Sequence, residues 1–399
     1  MTNIILFDNA DTWVDLLPIT YTRPISDIRV GILTIREKWQ HRFPDSRFSW
    51  QTTHYLSEKY PMEADGPDNL FIAGNYCPTD ELSEAIRKLK AGTALMHGDE
   101  LIAFRGSVAA FEDNDFSQKQ QADFPVSAIH MLYDIFGNNG EELVRDFALL
   151  TNGRTSRPLS DSCRLIGPAA TDDRRPMVFI EEGASIEGAI LNTSAGPIYI
   201  GENATIMEGS CIRGPFAACE HSQVNMGSKV YGATTLGPWC KVGGEINNIV
   251  MLGYSNKAHD GFLGNSVIGE WCNIGAGTNA SNLKNDYSEI KLWNYRMHRF
   301  MRTGLQFCGL IMGDHSESGI NTMFNTATVT GIGVNIFGTG FPRQFIASFT
   351  KGNPAGYSDV TLEEFFGTAS RMMARRHKEL SDADKRIFDA IRNYSDNFK

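Results

Sequence analysis

The segment Ser255-Asn256-Lys257-Ala258-His259 combines a lysine with one of the 9 histidines of the chain. Imidazole titrates near neutrality, so His259 can take a proton from a nucleophile at physiological pH. Behind it run Phe262-Leu263-Gly264-Asn265, Ile268-Gly269 and Asn273-Ile274-Gly275-Ala276-Gly277-Thr278. A second group lies near the N-terminus, in Leu17-Pro18-Ile19-Thr20-Tyr21-Thr22-Arg23-Pro24 and Ile28-Arg29-Val30-Gly31. Arg23 and Arg29 are suited to clamping phosphate bidentately. His221, His259 and His315 are too far apart, with no close pair, to read as a zinc triad.

His259 must be held by whatever precedes it. From Ile200 to Val242 every sixth residue is aliphatic: Ile200, Ile206, Ile212, Ala218, Val224, Val230, Leu236 and Val242. With 42% hydrophobic residues overall, eight in a row has a chance of roughly 0.001 in a given register. Six fits neither a 3.6-residue helix nor an isolated strand. It predicts a β-solenoid, one short strand and a corner per hexad and about three hexads per coil, with aliphatic residues stacking inward about 4.8 Å apart. Strands of a glycine-rich β-sandwich have no reason to keep such a phase. The phase shifts between Ile186 and Ile200, is lost after Val242, and returns at Ile268 and Ile274. Residues 279–310 break the repeat, and so long a loop in a repeat array carries function or meets another subunit.

The remaining chain predicts four parts: an α/β domain over 1–150, a linker over 151–177 crossing the surface, the solenoid over 178–345, and C-terminal helices over 359–399. Ile4–Phe7 and Leu70–Ala73 read as buried strands, Thr93–Met96 and Leu101–Phe104 as a hairpin, and Ile32–Arg42, the segment after Thr79, and 126–150 as helices. Thr361 and Ser381 are N-caps of two helices expected to close the open end of the solenoid. At 399 residues and a net charge of -10, bulk nucleic-acid or anionic-membrane binding is disfavoured. There is no apolar run of spanning length and no leader pattern at the start. Seven scattered cysteines then read as reduced thiols of a cytoplasmic protein.

The run from Lys257 to Asn282 resembles the acetyltransferase half of the bacterial bifunctional N-acetylglucosamine-1-phosphate uridylyltransferase/glucosamine-1-phosphate N-acetyltransferase family, with the spacing His259–Asn273–Asn282 kept. The resemblance implies His259 as general base and Asn273 as a contact to the acceptor sugar. It implies Ala276 and Asn282 on the acetyl-coenzyme A side, and Lys257 as the lysine before the histidine, on the acceptor side. Phe262 replaces a sugar-binding tyrosine, Leu283 another tyrosine, and Asn247 the sugar-phosphate lysine. Lys229 falls near the phosphate-binding arginine, and Glu245 is a weaker match. The resemblance further implies a left-handed parallel β-helix and a homotrimer with sites between subunits.

The N-terminal stretch resembles sugar nucleotidyltransferases, in a variant with a short, divergent N-terminal domain. That implies Arg23, Arg29 and Gly31 at a nucleotide or sugar phosphate. The glycine-rich loop is replaced by Phe7-Asp8-Asn9-Ala10, and the metal-binding Gly-Asp reads Gly74-Asn75. Asp8 or Asp99 is left to serve Mg²⁺. The expected activity is acetyl transfer to a hexosamine 1-phosphate followed by nucleotidyl transfer from UTP, as in UDP-N-acetylglucosamine biosynthesis for the cell envelope. The rivals are a single acyltransferase with a degenerate nucleotide-binding module, and a non-enzymatic trimeric scaffold. UTP titration and acetyl-coenzyme A binding separate them.

Overall fold

A computed structural model describes residues 2–64, 66–172 and 174–398. It divides into two compact units. One contains Met1–Leu16, Thr22–Ile28 and Leu33–Met131; the other contains Leu17–Tyr21, Arg29–Ile32 and Leu132–Lys399. The boundary therefore departs from the expected 1–150 domain in two ways. The helices Leu132–Gly137 and Asn139–Thr151 go with the second unit. So do two short pieces of the N-terminal chain. Leu143 and Phe147 share a core with Ile32, Phe179, Ala217 and Cys219. An apolar stripe shows that a helix has a buried face, but not which core receives it.

The N-terminal unit holds a six-stranded sheet in the order Arg47–Gln51, Asn3–Phe7, Asn69–Ala73, Glu100–Gly106, Thr93–His97, Gln118–Gln121. Asn3–Phe7 pairs in parallel with both neighbours. Its five residues are all buried, which is why Ile4–Phe7 reads as a continuous apolar run. The expected hairpin is present, with Thr93–His97 antiparallel to Glu100–Gly106. Thr79 caps Asp80–Arg87. The helix expected from Ile32 begins at Ile35, where Thr34 and Glu37 form a capping box.

The second unit is the predicted hexapeptide-repeat parallel β-helix. On one face Val178–Ile180, Ile198–Ile200, Phe216–Ala218 and Thr234–Leu236 stack in register. On the next, Ser185–Ile186, Thr205–Ile206, Gln223–Val224 and Lys241–Val242 do the same. The third begins with Arg164–Ile166 against Ile190–Asn192, so the coil starts inside the expected 151–177 linker. All eight aliphatics of the six-residue series lie in one buried core, and full burial of each valine, leucine or isoleucine among them contributes about 1.5–3 kcal/mol. Ile200, Ala218 and Leu236 are partners at 18-residue intervals, but Met251 follows Leu236 after 15. Ile268 and Met312 are partners across the inserted loop, which forms the hairpin Lys291–Asn294/Arg299–Arg302.

One corner carries a column of residues in the left-handed backbone region: Asn203, His221, Trp239, Tyr254, Trp271, His315 and Phe349, with φ between 54° and 61°. Such φ values cost a non-glycine residue about 1–2 kcal/mol. Here each N–H donates to a carbonyl of the coil before, as from Tyr254 to Pro238 at 2.7 Å and Phe349 to Ile332 at 2.7 Å. Rings of successive coils stack, His221 on Trp239 and Tyr254 on Trp271, both at 4.2 Å. The C-terminal helices Leu362–Ala374 and Asp382–Ser395 begin at Thr361 and Ser381 as predicted. They run along this corner rather than over the open end. Phe365 packs on Phe349 and His315, and Arg376, just past the first helix, lies over Trp239 several coils earlier.

Candidate active site at a shortened corner

The loss of hexad phase after Val242 is a change in corner length. In the corner column Val224, Val242 and Lys257 are equivalent, and so are Lys229, Glu245 and Phe262. Asn225–Ser228 spans the corner in one coil and Ala258–Gly261 in another, but only Gly243-Gly244 spans it between them. Both glycines are required. A Cβ on Gly243 would lie 2.4 Å from the Ala258 carbonyl oxygen, and one on Gly244 (φ +77°) 2.8 Å from the Asp260 Cα. The retracted corner lets Asn225 reach past it, donating from Nδ2 to the Ala258 carbonyl at 2.7 Å. His259 and Asp260 stand exposed on the longer corner below.

Lys257 occupies the inward position that Ile186, Ile206, Val224 and Val242 fill in other coils. It is 2% exposed. Its Nζ donates to the Gly243 carbonyl at 2.9 Å and to the His259 carbonyl at 2.7 Å. Burial pulls its pKa down to about 8, against the opposing charge of Asp260. The expected contact of Lys257 with the acceptor sugar is thereby corrected: the ammonium points into the coil because strand alternation places that position inside.

Other expected residues lie around this corner, Lys229, Glu245 and Phe262 on the third face and Asn273 on the second. Lys229 and Glu245 are register partners, 3.8 Å apart at the Nζ–Oε2 distance and both solvent-accessible. Phe262 is the next partner, three residues after His259. Asn273 is exposed one coil further on, opposite Asn256. Ala276 lies on the following corner, where the Gly277 N–H is tied to the Asp260 carbonyl at 2.9 Å. Asn282 sits a corner further along its own coil, at the base of the insertion; it donates to Asn265 Oδ1 at 2.8 Å and accepts from the Cys308 N–H. Sequence reasoning missed Asn225 and the Gly243-Gly244 shortening. Counting residues between successive inward aliphatics is the signal that finds the latter.

The expected N-terminal phosphate site divides. Gly31 and Arg29 belong to the β-helix unit. Gly31 (φ +86°) donates to Asn139 Oδ1 at 2.7 Å, and a Cβ there would meet Asp146 Oδ2 at 2.5 Å. The Arg29 guanidinium is buried and donates to the Ile32 carbonyl. Both are bound up in packing, which corrects their assignment to a nucleotide. Arg23, in the N-terminal unit, is 5% exposed and engaged with other groups.

In that unit the strand Asn3–Phe7 is the switch point from which chain connections diverge to either side, and ligands of open α/β sheets bind beyond the carboxyl end of such strands. Here that place is filled by the segment Arg23–Ile28. Asp8 accepts from the Ile25 N–H at 2.9 Å and from Thr52 Oγ1 at 2.5 Å. A Cβ on Gly74 would meet the Ser26 nitrogen at 3.1 Å. Burial pushes Asp8 up to about 7. Asp99 lies exposed in the hairpin turn. Among the described residues no group of three or more His, Cys, Asp or Glu side chains could hold a metal ion. Asp8 is engaged by the Ile25 N–H and the Thr52 hydroxyl and stands apart from the exposed Asp99, and no step is derived through a metal. A cluster the sequence did not reveal adjoins Asn75. Glu100 accepts from Asn75 Nδ2 at 3.2 Å and Tyr76 Oη at 2.8 Å, and meets His130 Nε2 at 2.9 Å.

Residues 4–155 match the family model described as sugar nucleotidyl transferase. No curated protein matches the chain. Among solved structures the chain is similar to a Bacillus cereus protein named provisionally as an acetyltransferase, at 12% identity over 57% of this chain and 98% of that one, TM-score 0.25. It is also similar to AntD, an N-acyltransferase from Bacillus cereus in complex with dTDP and 3-hydroxybutyryl-CoA, at 13% identity over 50% and 89%, TM-score 0.22. A third is the UDP-N-acetylglucosamine acyltransferase from Campylobacter jejuni, at 15% identity over 56% and 83%, TM-score 0.21. At these scores the likenesses say nothing of substrate. No helix among the described residues is long and apolar enough to cross a membrane.

Proposed function

We propose that the chain is an acetyl-coenzyme A-dependent N-acetyltransferase of a hexosamine 1-phosphate, with His259 as general base. The observation that carries this is the solvent-exposed His259 on the four-residue corner next to the shortened one, beside the Lys229–Glu245 row and one coil from Asn273. The sugar amine attacks the thioester carbonyl, a C–N bond forms, and the C–S bond breaks. His259 takes the amine proton and returns it to the departing thiolate, while backbone N–H groups stabilise the oxyanion. Lys229 is the cation for the sugar phosphate and Glu245 and Asn273 orient the hydroxyls. Ala276 and Asn282 flank the thioester. Sites at subunit boundaries of a C3 homotrimer fit the exposed apolar residues on the third face, Ile166, Ile190 and Tyr231, each 39–45% exposed.

A second reading concerns the N-terminal unit, a sugar nucleotidyl transferase-like domain. Its ligand edge is filled by Arg23–Ile28, and Asp8 is bonded within the fold. These features favour binding or sensing of a nucleotide over its transfer from UTP. The test is a coupled assay with glucosamine 1-phosphate, acetyl-coenzyme A and UTP, reading free thiol and pyrophosphate separately. Thiol without pyrophosphate is the expected result; pyrophosphate dependent on the N-acetylated sugar would restore the bifunctional reading, and no thiol would defeat the acetyltransferase. A light-scattering mass equal to one 44.3 kDa chain at micromolar concentration would count against the trimer.

A further inference from the structure

We infer that Lys257 is a positioning residue for His259, fastening its corner to the retracted corner above, with Asn225 as a second tether. This rests on the reading of His259 as the base. The column that Lys257 joins is aliphatic on either side of it, through Ile186, Ile206, Val224 and Val242 before and Ile274 after, with the small Ser318 following in the next coil. Enclosing an ammonium there is costly unless every exchanged water is replaced by a good acceptor. A leucine or methionine would fill the same space without that cost.

What the ammonium does there is specific to the corner. Its two acceptors are the carbonyls of Gly243 and of His259 itself, at 2.9 and 2.7 Å. The first belongs to a two-glycine turn, which is intrinsically loose. The second is the main chain of the catalytic candidate. Asn225 holds the adjoining Ala258 carbonyl from the far side of the shortened coil at 2.7 Å. Below, the Asp260 carbonyl accepts from the Gly277 N–H at 2.9 Å. The backbone of three consecutive residues, Ala258, His259 and Asp260, is thus fixed from three different places. The imidazole projects from the middle one into solvent. A base must be held in near-attack geometry to contribute its full effect, and displacement by about 1 Å costs on the order of 10²-fold.

The test compares Lys257→Met, Asn225→Ala and His259→Ala in the full chain, measuring thiol release, melting temperature and amide hydrogen exchange over 258–261. Lys257→Met should melt no lower than the parent, since methionine suits an aliphatic column. Its kcat should fall about 10–100-fold with KM for acetyl-coenzyme A unchanged, and exchange at the corner should quicken about tenfold or more. Asn225→Ala should give the same pattern at about 3–10-fold. Adding Lys257→Met to His259→Ala should cost nothing further. Parental kcat and exchange in Lys257→Met, or activity lost only in proportion to folded protein, would overturn the inference while leaving the base intact if His259→Ala is still impaired. Undiminished thiol release from His259→Ala would instead sink the base. Should Lys257→Met fail to fold, parental exchange and kcat in Asn225→Ala would overturn the tethering.

Discussion

In the β-helix one stack position holds Ile186, Ile206, Val224 and Val242 and then Lys257, whereas the N-terminal unit offers no equivalent positions to set beside Asp8. A repeat supplies its own control. Each coil shows what the fold needs at a position, so a lysine between Val242 and Ile274, or a two-residue corner between the four-residue corners 225–228 and 258–261, marks a departure with a purpose. In the α/β unit the guide is topology. It directs attention to the carboxyl end of Asn3–Phe7, and there the structure shows a carboxylate embraced by the chain's own Ile25 and Thr52. Both units hold a titratable group drawn into the fold, Lys257 fully buried and Asp8 partly so. In one it supports an exposed histidine, and in the other it closes the place where a ligand is expected.

The comparison breaks first at His259. His259→Ala should lower acetyl-transfer kcat by about 10²–10⁴-fold with little change in melting temperature, because the side chain is exposed. A wild-type rate in a folded mutant would remove the functional meaning of the altered corner. Gly31→Ala separates packing from phosphate binding. With φ +86° and a Cβ 2.5 Å from Asp146 Oδ2, it should destabilise the β-helix unit by about 2–4 kcal/mol, read by chemical denaturation. A stable variant with weakened nucleotide binding would return Gly31 to its sequence-based role.

Asp8→Asn probes the other unit. A carboxyl raised from 3.8 to about 7 is protonated more readily in the folded state. Its stabilisation is complete below pH about 4 and is lost as pH rises through about 7. Asparagine cannot titrate. The variant should therefore match the parent near pH 3.5 and exceed it at pH 8 by on the order of 2 kcal/mol, after discounting for partial solvent access. Parallel stability profiles for the two proteins would show that Asp8 is not so perturbed. Lys229→Ala should have the smallest effect. Its exposed pair with Glu245 contributes about 0–1 kcal/mol to stability, so melting should hardly move. KM for the sugar phosphate should rise about 3–10-fold, and an unchanged KM would move the phosphate elsewhere.

Much of this was already present in local pattern. Six-residue spacing, the all-apolar run Ile4–Phe7, and the caps Thr79, Thr361 and Ser381 each determined an element by themselves, because periodicity and capping depend on residues a few positions apart. The spacing from His259 to Asn282 likewise marked the corner that carries the candidate chemistry. Tertiary structure decided what distance along the chain conceals. It put Gly31 against Asp146, 115 positions further on, and Arg164–Ile166 into the coil rather than a linker. It turned Lys257 inward, since strand alternation counts from a register that changed at the shortened corner. It also set aromatic residues in left-handed backbone conformations, where stacking between coils offsets a local cost that sequence reasoning assigns to glycine and asparagine. Local rules follow from a backbone that each residue carries with it; pairing between coils follows only once the number of residues in every corner is set.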